Sequence, residues 1–268
     1  MDTLQNADVT RALDTPLVPL SRADEITDRL VTAITIGEYL PGSRLPPERE
    51  LAASLQVGRM TVRAALARLV EHGLLETQRG RGGGSFVRSP QAESSEASPA
   101  SVHRTLSASL DAKRDLLEAV GRLQGAIARA AAEKRSAADV NRLHERLASY
   151  RAAESGRESQ RADELLHMAI IEAAHNDTLR TVLLDLESRI SINAPAHVWG
   201  RVDGMRAMEL RALTDHENLV AAICEQRPTD AGTIALEHAR IDLEMLEEAL
   251  SWAGPQGRIT PPVADAQP

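Results

Sequence analysis

Aromatic residues and cysteine are scarce in this sequence. The first scarcity limits the composition of the core, and the second argues against a secreted, disulfide-bonded protein. Phe, Trp and Tyr make up only 2% of the 268 residues, so the core must be aliphatic, and the many Ala and Leu residues favour helix over strand. The single cysteine, Cys224, allows no internal disulfide, which fits a reducing cytosol rather than secretion. No apolar run reaches the length of a membrane span, and the N-terminus lacks a basic segment followed by an apolar one. We therefore expect a cytoplasmic protein that makes no contact with a membrane.

One stretch, residues 41–88, carries two short helical patterns followed by a glycine-rich hairpin. Glu48–Leu55 predicts a short helix entered through two prolines, and apolar residues at helical spacing after Gly58 predict a second, longer helix. Those apolar residues are Val62, Leu66, Leu69 and Val70. Strands at Leu74–Gln78 and Ser85–Val87 then flank a turn that contains four glycines. This order predicts a helix-turn-helix with a wing.

The second helix and the hairpin carry arginines that suit DNA. Arg59 and Arg63 are four residues apart, so both lie on one helix face, clear of the apolar stripe. Guanidinium groups there can contact guanine edges or phosphates in a major groove, and a hairpin bearing Arg79, Arg81 and Arg88 can lie against a minor groove. The net charge is −8, yet residues 20–88 hold ten arginines against eight acids, so attraction to DNA must be local. The alternative is a winged helix used only for protein contacts.

The remaining chain predicts a flexible arm, a linker, a helical domain and a tail. Residues 1–19 show no periodicity, and a helix capped by Ser21 or Asp24 follows them. Residues 89–104 are rich in Ser, Ala and Pro and form the linker. Residues 105–252 predict only helices, with one loop at 193–204, and residues 253–268 predict a disordered tail. The predicted helices span 106–135, 137–154, 161–174, 178–192, 205–225 and 229–252. The fold class is therefore mainly α with a small β-wing.

Three histidines and one aspartate in the helical part could bind a metal. Asp163 and His167 are spaced i, i+4 and share one helix face, while His216 and His238 lie on two later helices. Three imidazoles and one carboxylate that converge inside a helical bundle would suit a divalent ion. The alternative is that the four are ordinary surface and core residues. The other histidines, His72, His103, His144, His175 and His197, are read as structural.

The first domain resembles the DNA-binding domain of GntR-family transcription factors over about residues 20–88. The resemblance rests on PGSRLPPERELAASLQV, on R-x-T-V-R-x-A-L-x-R-L from Arg59 onward, and on GLL followed by a wing ending in FV. It implies that Arg44 and Arg49 contact the DNA, that Arg59, Thr61 and Arg63 lie on the recognition helix, and that Gly80 with Arg79 forms the wing tip. Family members often have Ser or Thr where this chain has Gly58, so one hydroxyl contact is missing.

The second domain resembles the effector domain of the FadR-type subgroup of that family, the all-helical FCD domain. The similar segments are DELLH, DHENLVAAI and ALEHARIDLEML. This resemblance implies that Asp163, His167, His216 and His238 bind zinc, nickel or a similar divalent ion. Many relatives also have Arg followed four residues later by Glu in the first effector-domain helix, where this chain has Val120 and Gln124. Arg114, Arg122 or Arg189 could substitute for that arginine.

Together these features predict a ligand-responsive transcriptional regulator rather than an enzyme. We expect a repressor that binds a palindromic double-stranded operator as a homodimer and responds to a small carboxylate. A metalloregulator without an organic effector is one alternative. A metal-dependent enzyme with an accessory winged helix is another, although no H-E-x-x-H segment and no nucleophile motif is present.

Overall fold

The computed structural model describes residues 21–88, 103, 105–107, 110–190, 199 and 202–253, and the structural statements below concern these residues. The predicted arm, nearly all of the predicted linker, most of the predicted 193–204 loop and all but the first residue of the predicted tail lie outside them. The described chain is mainly helical with one two-stranded antiparallel sheet, as the sequence predicts. None of its helices is long and apolar enough to span a membrane.

The N-terminal part folds as the predicted winged helix-turn-helix. Its elements are α1 (Arg22–Thr35), α2 (Glu48–Ser54), α3 (Arg59–Glu71), β1 (Leu75–Gln78) and β2 (Gly84–Val87). Ser21 caps α1, because its hydroxyl accepts from the backbone N–H of Asp24 and the Asp24 carboxylate accepts from the Ser21 backbone N–H. Gly58 is the N-cap residue of α3 and makes no side-chain capping bond. The Ser or Thr hydroxyl that family members often have at this position would be able to cap the helix.

The core of this part is aliphatic. Val62, Leu66 and Leu69 are buried as the periodicity predicts, but Val70 is 39% exposed and Ala65 is buried instead. With a helical step of about 100°, Val62, Ala65, Leu66 and Leu69 lie on one side of α3, whereas Val70 lies at the edge of that side, about 80° from Val62. The core residues pack against α1 through Ile26, Leu30 and Val31.

The wing is a short hairpin reinforced by a third segment. Leu75 pairs with Val87 and Gln78 with Gly84, and Arg44 forms an isolated bridge with Phe86. Gly80 lies at φ 101° in the turn, a conformation that favours glycine. The segment before α2 therefore pairs with β2, on the side opposite β1.

The C-terminal part consists of helices packed on one another. These are α4 (Leu110–Lys134), α5 (Ala137–Ala152), α6 (Arg157–Ala173), α7 (Asp177–Ile190), α8 (Val202–Cys224), α9 (Pro228–His238) and α10 (Arg240–Ala253). The single predicted helix over 229–252 is thus two helices, interrupted at Ala239. The sequence has no Gly or Pro there to signal the break, and the Cβ of Ala239 packs within 3.1 Å of where Gly121 of α4 would carry a Cβ.

The two parts share buried surfaces. Leu246 and Ala249 of α10, together with Leu117 of α4, join the aliphatic core of the winged part. Leu40, which follows α1, is 2% exposed and lies in a separate cluster with residues of the helical part. The Gln160 side chain also donates a hydrogen bond to the Gly37 carbonyl oxygen at 3.5 Å. A displacement of α10 or of the residues around Leu40 therefore reaches the winged part directly.

Candidate metal centre and DNA-binding surface

Helix α6 places Asp163 and His167 one turn apart, facing the inside of the bundle. Asp163 is 5% exposed, and its Oδ1 lies 3.7 Å from Nε2 of His167. The i, i+4 spacing puts both side chains on the buried face, as the sequence predicts.

Helices α8 and α9 bring His216 and His238 to the same point. His216 is fully buried, and its Nε2 lies 3.2 Å from Nε2 of His167, 3.1 Å from Nε2 of His238 and 3.4 Å from Oδ1 of Asp163. One ligand atom from each of the four residues lies within 4.8 Å of the others. Neighbouring ligands at ordinary bond lengths around one ion are separated by about 3.0 to 3.4 Å. The donor set therefore suits a divalent ion, and the separations between His216 and the other three residues match this spacing.

A further carboxylate lies behind this group. Oδ2 of Asp215 is 3.2 Å from Nδ1 of His238, so Nε2 of that ring faces the centre of the four residues. Carboxylates that accept from the outer nitrogen of a histidine fix its tautomer and its orientation. Asp215 is not among the residues predicted from the sequence, although it directly precedes His216 in the segment DHENLVAAI.

Tyr150 of α5 packs against the same group from another side. Its ring meets that of His216 edge to face, with centroids 4.8 Å apart, and its hydroxyl donates to the Glu209 carbonyl oxygen at 3.3 Å. Burial, followed by the nearby Asp163 carboxylate, raises the pKa of Tyr150, so the phenol stays neutral. Tyr150 therefore fixes the position of the His216 ring without adding charge.

Two cavities adjoin the four residues, and His238 lines both. The first is also lined by Asp163, Trp199, Met208, Ala212, Ile241 and Asp242. The second is lined mainly by aliphatic side chains, with Gln124 and His167 as its other polar residues. Each cavity has a volume of about 20 Å³, which is room for one group the size of a water molecule.

No arginine lines either cavity among the described residues. Val120 is buried, and Gln124 donates from Nε2 to Oε1 of the buried Glu187 at 3.1 Å. The three arginines suggested as substitutes pair with carboxylates on the protein surface instead. Arg114 pairs with Asp111 and Glu247, Arg122 with Glu118, and Arg189 with Asp185. None of these three arginines therefore lines the described cavities.

The predicted DNA-contacting residues lie on the winged part, away from the helical bundle core. Arg59 and Arg63 are exposed on α3, and Thr61 beside them is partly buried. Glu48 of α2 accepts two hydrogen bonds from the Arg63 guanidinium, at 3.0 and 2.7 Å. Those hydrogen bonds lower the pKa of Glu48, which keeps the carboxylate charged. Arg63 is thus held in place at the start of the predicted recognition helix, with 55% of its side chain exposed.

The other predicted contacts surround the wing and α2. Arg49 on α2 and Arg79 before the wing turn are both exposed. Arg44 is exposed as well, and its guanidinium donates to the Gly83 carbonyl oxygen at 2.5 Å. A Cβ at Gly84 would lie 2.7 Å from Nε of Arg44, so glycine there lets the arginine cross the hairpin. Arg44 therefore stabilises the wing turn through its hydrogen bond to Gly83.

The histidines read as structural lie apart from the cluster of Asp163, His167, His216 and His238 where the structure describes them. Nε2 of His175 contacts Oδ2 of Asp139 at 2.7 Å, next to the start of α5. His72 follows the C-terminus of α3, His144 is exposed on α5, and Nδ1 of His103 lies 3.4 Å from the Ser107 hydroxyl. His197 lies outside the described residues.

Comparisons with known proteins agree with both halves of this description. Residues 22–84 match the family described as bacterial regulatory proteins, gntR family, and residues 115–240 match the FCD domain. The chain is similar to RmpR of Mycobacterium gastri, named as an HTH-type transcriptional regulator, with 31% identity over 92% of this chain and 88% of that protein. It is 34% identical to an Escherichia coli (strain K12) protein named for regulation of the L-lactate dehydrogenase operon, over 61% of this chain and 62% of that one.

Among solved structures, the chain is similar to a Streptococcus agalactiae GntR protein, with 24% identity and a TM-score of 0.42 over 83% of this chain and 99% of that one. On the two family matches and the similarity to RmpR, the chain belongs to the GntR family of bacterial transcriptional regulators and carries an FCD domain after its DNA-binding domain.

Proposed function

We propose that this transcriptional regulator is a repressor whose DNA binding depends on a divalent metal and a small organic acid. The observation that carries the proposal is the convergence of Asp163, His167, His216 and His238, from three helices, on one buried point. Three imidazoles and one carboxylate that meet at one buried point form a donor set that suits a divalent ion.

The donor set favours zinc or nickel. Three imidazoles and one carboxylate suit these ions, whereas magnesium and calcium prefer oxygen ligands alone. A divalent ion bound by three neutral imidazoles and one carboxylate keeps one net positive charge and attracts an anion to a free coordination position.

The shape of the neighbouring cavities favours a small acid. About 20 Å³ of open volume admits one water-sized group, so a larger effector would have to move the surrounding helices. No arginine among the described lining residues can bind a second carboxylate. The relative named for the L-lactate dehydrogenase operon makes 2-hydroxy acids the first candidates. Such an acid offers a hydroxyl and a carboxylate oxygen, which suits two adjacent coordination positions.

The connection between α9 and α10 offers a route from this site to the DNA-binding part. His238 is the last residue of α9, and α10 begins after the single residue Ala239. Leu246 and Ala249 of α10 pack in the core of the winged part. A change in the position of His238 is therefore passed to α10 and on to the winged part over a short distance. The effector must bind the two arrangements with different affinity, since equal affinity would shift nothing.

DNA binding in this proposal follows the winged motif. The start of α3, with Arg59, Thr61 and Arg63, enters the major groove, and Arg44, Arg49, Arg79 and Gly80 contact the backbone or the adjacent groove. A two-fold operator read by one recognition helix per subunit needs two copies of the chain. Light scattering at micromolar concentration should therefore show a homodimer without DNA. A protein that stays monomeric when bound to its operator would contradict the palindromic arrangement.

The test combines metal analysis with operator binding. The wild-type protein should hold about one zinc or nickel ion per chain, and L-lactate or another small acid should change its affinity for an operator selected from random DNA. His216→Ala should lose both the metal and the response to acid, while His144→Ala, an exposed histidine on α5, should keep both.

The outcomes separate the candidate functions. Operator affinity that follows metal concentration but ignores every acid would favour a metalloregulator. Turnover of an acid by the metal-loaded protein would favour an enzyme. A full response to acid in His216→Ala would show that the four residues are ordinary packed side chains.

A further inference from the structure

The cavity beside Asp163 and His238 contains a buried donor that pairs with no described residue. Trp199 lines this cavity and is 2% exposed. Its indole Nε1 is buried and forms no hydrogen bond within the described part of the chain. Buried polar groups are paired in the large majority of cases, so an unpaired one in a cavity wall calls for an acceptor inside the cavity.

The other residues that line this cavity narrow the choice of acceptor. An indole N–H can only donate, so its partner must carry a lone pair. Met208, Ala212 and Ile241 offer no oxygen from their side chains. The carboxylates of Asp163 and Asp242 are present in the wall, but neither accepts from Trp199. The acceptor that fits is therefore an atom of the molecule that enters the cavity.

We propose that Trp199 is an effector-binding residue, whose indole N–H donates to the free oxygen of a small carboxylate bound next to Asp163 and His238. This inference rests on the proposed function, because the other oxygen of that carboxylate occupies the metal coordination position. The chemical class of the ligand follows from the pair of contacts. The ligand needs two oxygens separated as in a carboxylate group, one to coordinate the ion and one to accept from the indole N–H.

The same residue connects the cavity to the DNA-binding part. Trp199 belongs to a buried cluster with Leu40 of the winged part and with Tyr150, Met208, Ala212 and Ile241 of the helical part. A hydrogen bond that fixes the indole therefore acts inside the buried cluster that contains Leu40 of the winged part. Loss of this bond should raise the acid concentration needed to change operator affinity.

The test uses two probes that differ in their second atom. The protein is loaded with cobalt(II), and acetate or imidazole is added while the visible absorption of the cobalt is followed. Acetate offers a second oxygen to the indole, whereas bound imidazole offers only an N–H. In Trp199→Phe, which keeps an aromatic ring but lacks the donor, acetate should bind roughly tenfold or more weakly, as expected for a hydrogen bond to a charged acceptor. Imidazole binding should change less than about twofold.

The chain contains two tryptophans, so Trp252→Phe is the matched control and should bind both probes like the wild type. It also provides a measurement that leaves Trp199 intact. In the zinc-loaded Trp252→Phe protein, the single indole N–H proton resonance should move downfield with acetate and stay in place with imidazole.

Four outcomes would overturn the assignment. Unchanged acetate affinity in Trp199→Phe, or an indole resonance that ignores acetate, would show that no hydrogen bond forms. Equal losses for acetate and imidazole would show that the ring only shapes the cavity. A wild-type protein that takes up cobalt but binds neither probe would contradict the open coordination position of the proposed function, and the assignment would fall with it.

Discussion

Metal binding should stabilise the helical part strongly, because the four ligands come from α6, α8 and α9. An ion that binds only the folded state adds about 2.7 kcal/mol when its free concentration is a hundred times its Kd. For a domain of roughly this size, each kcal/mol raises Tm by about 2 to 4 °C. Zinc or nickel added to chelator-treated protein should therefore raise Tm by about 5 to 11 °C.

Two variants test whether the four residues cause this shift. Asp163→Asn removes the only carboxylate of the group with little change in volume and should abolish most of the shift. Asp215→Ala leaves all four proposed ligands in place but removes the acceptor that orients His238, so metal affinity should fall by about 10- to 100-fold. Comparing each variant with and without metal removes the effect of the substitution on the apo fold.

The measurement is calorimetric or circular-dichroism melting at a fixed metal concentration, with His144→Ala as the surface control. A wild-type Tm that does not respond to zinc, nickel or cobalt would refute the metal assignment. A shift of full size in Asp163→Asn would show that the ion binds elsewhere.

Two further predictions concern the DNA-binding surface and the dependence of stability on pH. Arg63→Ala should cost on the order of 1–3 kcal/mol in operator affinity if the guanidinium binds a base in bidentate fashion. Arg68→Ala, on the same helix but paired with Asp24, should cost far less in a parallel titration, and equal losses would contradict the assignment. Burial alone would raise the pKa of Asp139, but hydrogen bonds from Ser136 and then His175 lower it to about 2. A carboxyl with a lowered pKa stabilises the fold above its ordinary value of 3.8 and loses that effect as the pH falls toward 2. Metal-free Asp139→Asn should thus lose about 2 kcal/mol at neutral pH but little at pH 2, by urea unfolding.

The winged part could be predicted closely from sequence because its determinants are local. Helix starts, the Gly58 turn and the glycine-rich hairpin each depend on residues a few positions apart. The burial of Val62, Leu66 and Leu69 follows from helical spacing alone. The misplaced Val70 shows the limit, since periodicity gives the centre of a buried stripe better than its edge.

The site in the helical part is harder to predict from the sequence. The i, i+4 pair of Asp163 and His167 is a local feature, but the approach of α8 and α9 to it depends on tertiary packing. Family resemblance supplied that information, not periodicity. Asp215 and Trp199 were missed because the contact of Asp215 with His238 and the position of Trp199 in a cavity wall depend on tertiary packing. The break at Ala239 was missed for a similar reason, because the apolar pattern continues through it.

One packing feature was visible in the sequence, and it connects the bundle to the metal site. Gly121 and Gly125 are four apart, which predicts close approach of another helix to α4. In the structure α9 crosses there, and a Cβ at Gly125 would lie 2.8 Å from the Gly232 carbonyl oxygen. A Cβ at Gly232 would in turn lie 3.1 Å from the Gly125 carbonyl oxygen. The two helix backbones therefore meet with no space for a methyl group, six residues before His238.

Gly125→Ala should consequently weaken metal binding from a distance. Alanine favours the helix over glycine by about 1 kcal/mol, but the contact is with backbone, so α9 must move to relieve it at a typical cost of about 1–3 kcal/mol. Ligands must be held within about 0.5 Å of their working positions, and a displaced α9 carries His238 with it. Metal affinity, measured by competition with a chelator, should fall in Gly125→Ala but not in Gly204→Ala, since a Cβ at Gly204 of α8 meets nothing within 4 Å. Unchanged metal affinity in both variants would show that α9 can shift along α4 without moving His238. It would then contradict the proposal that His238 and α10 transmit movements of α9 to the winged part.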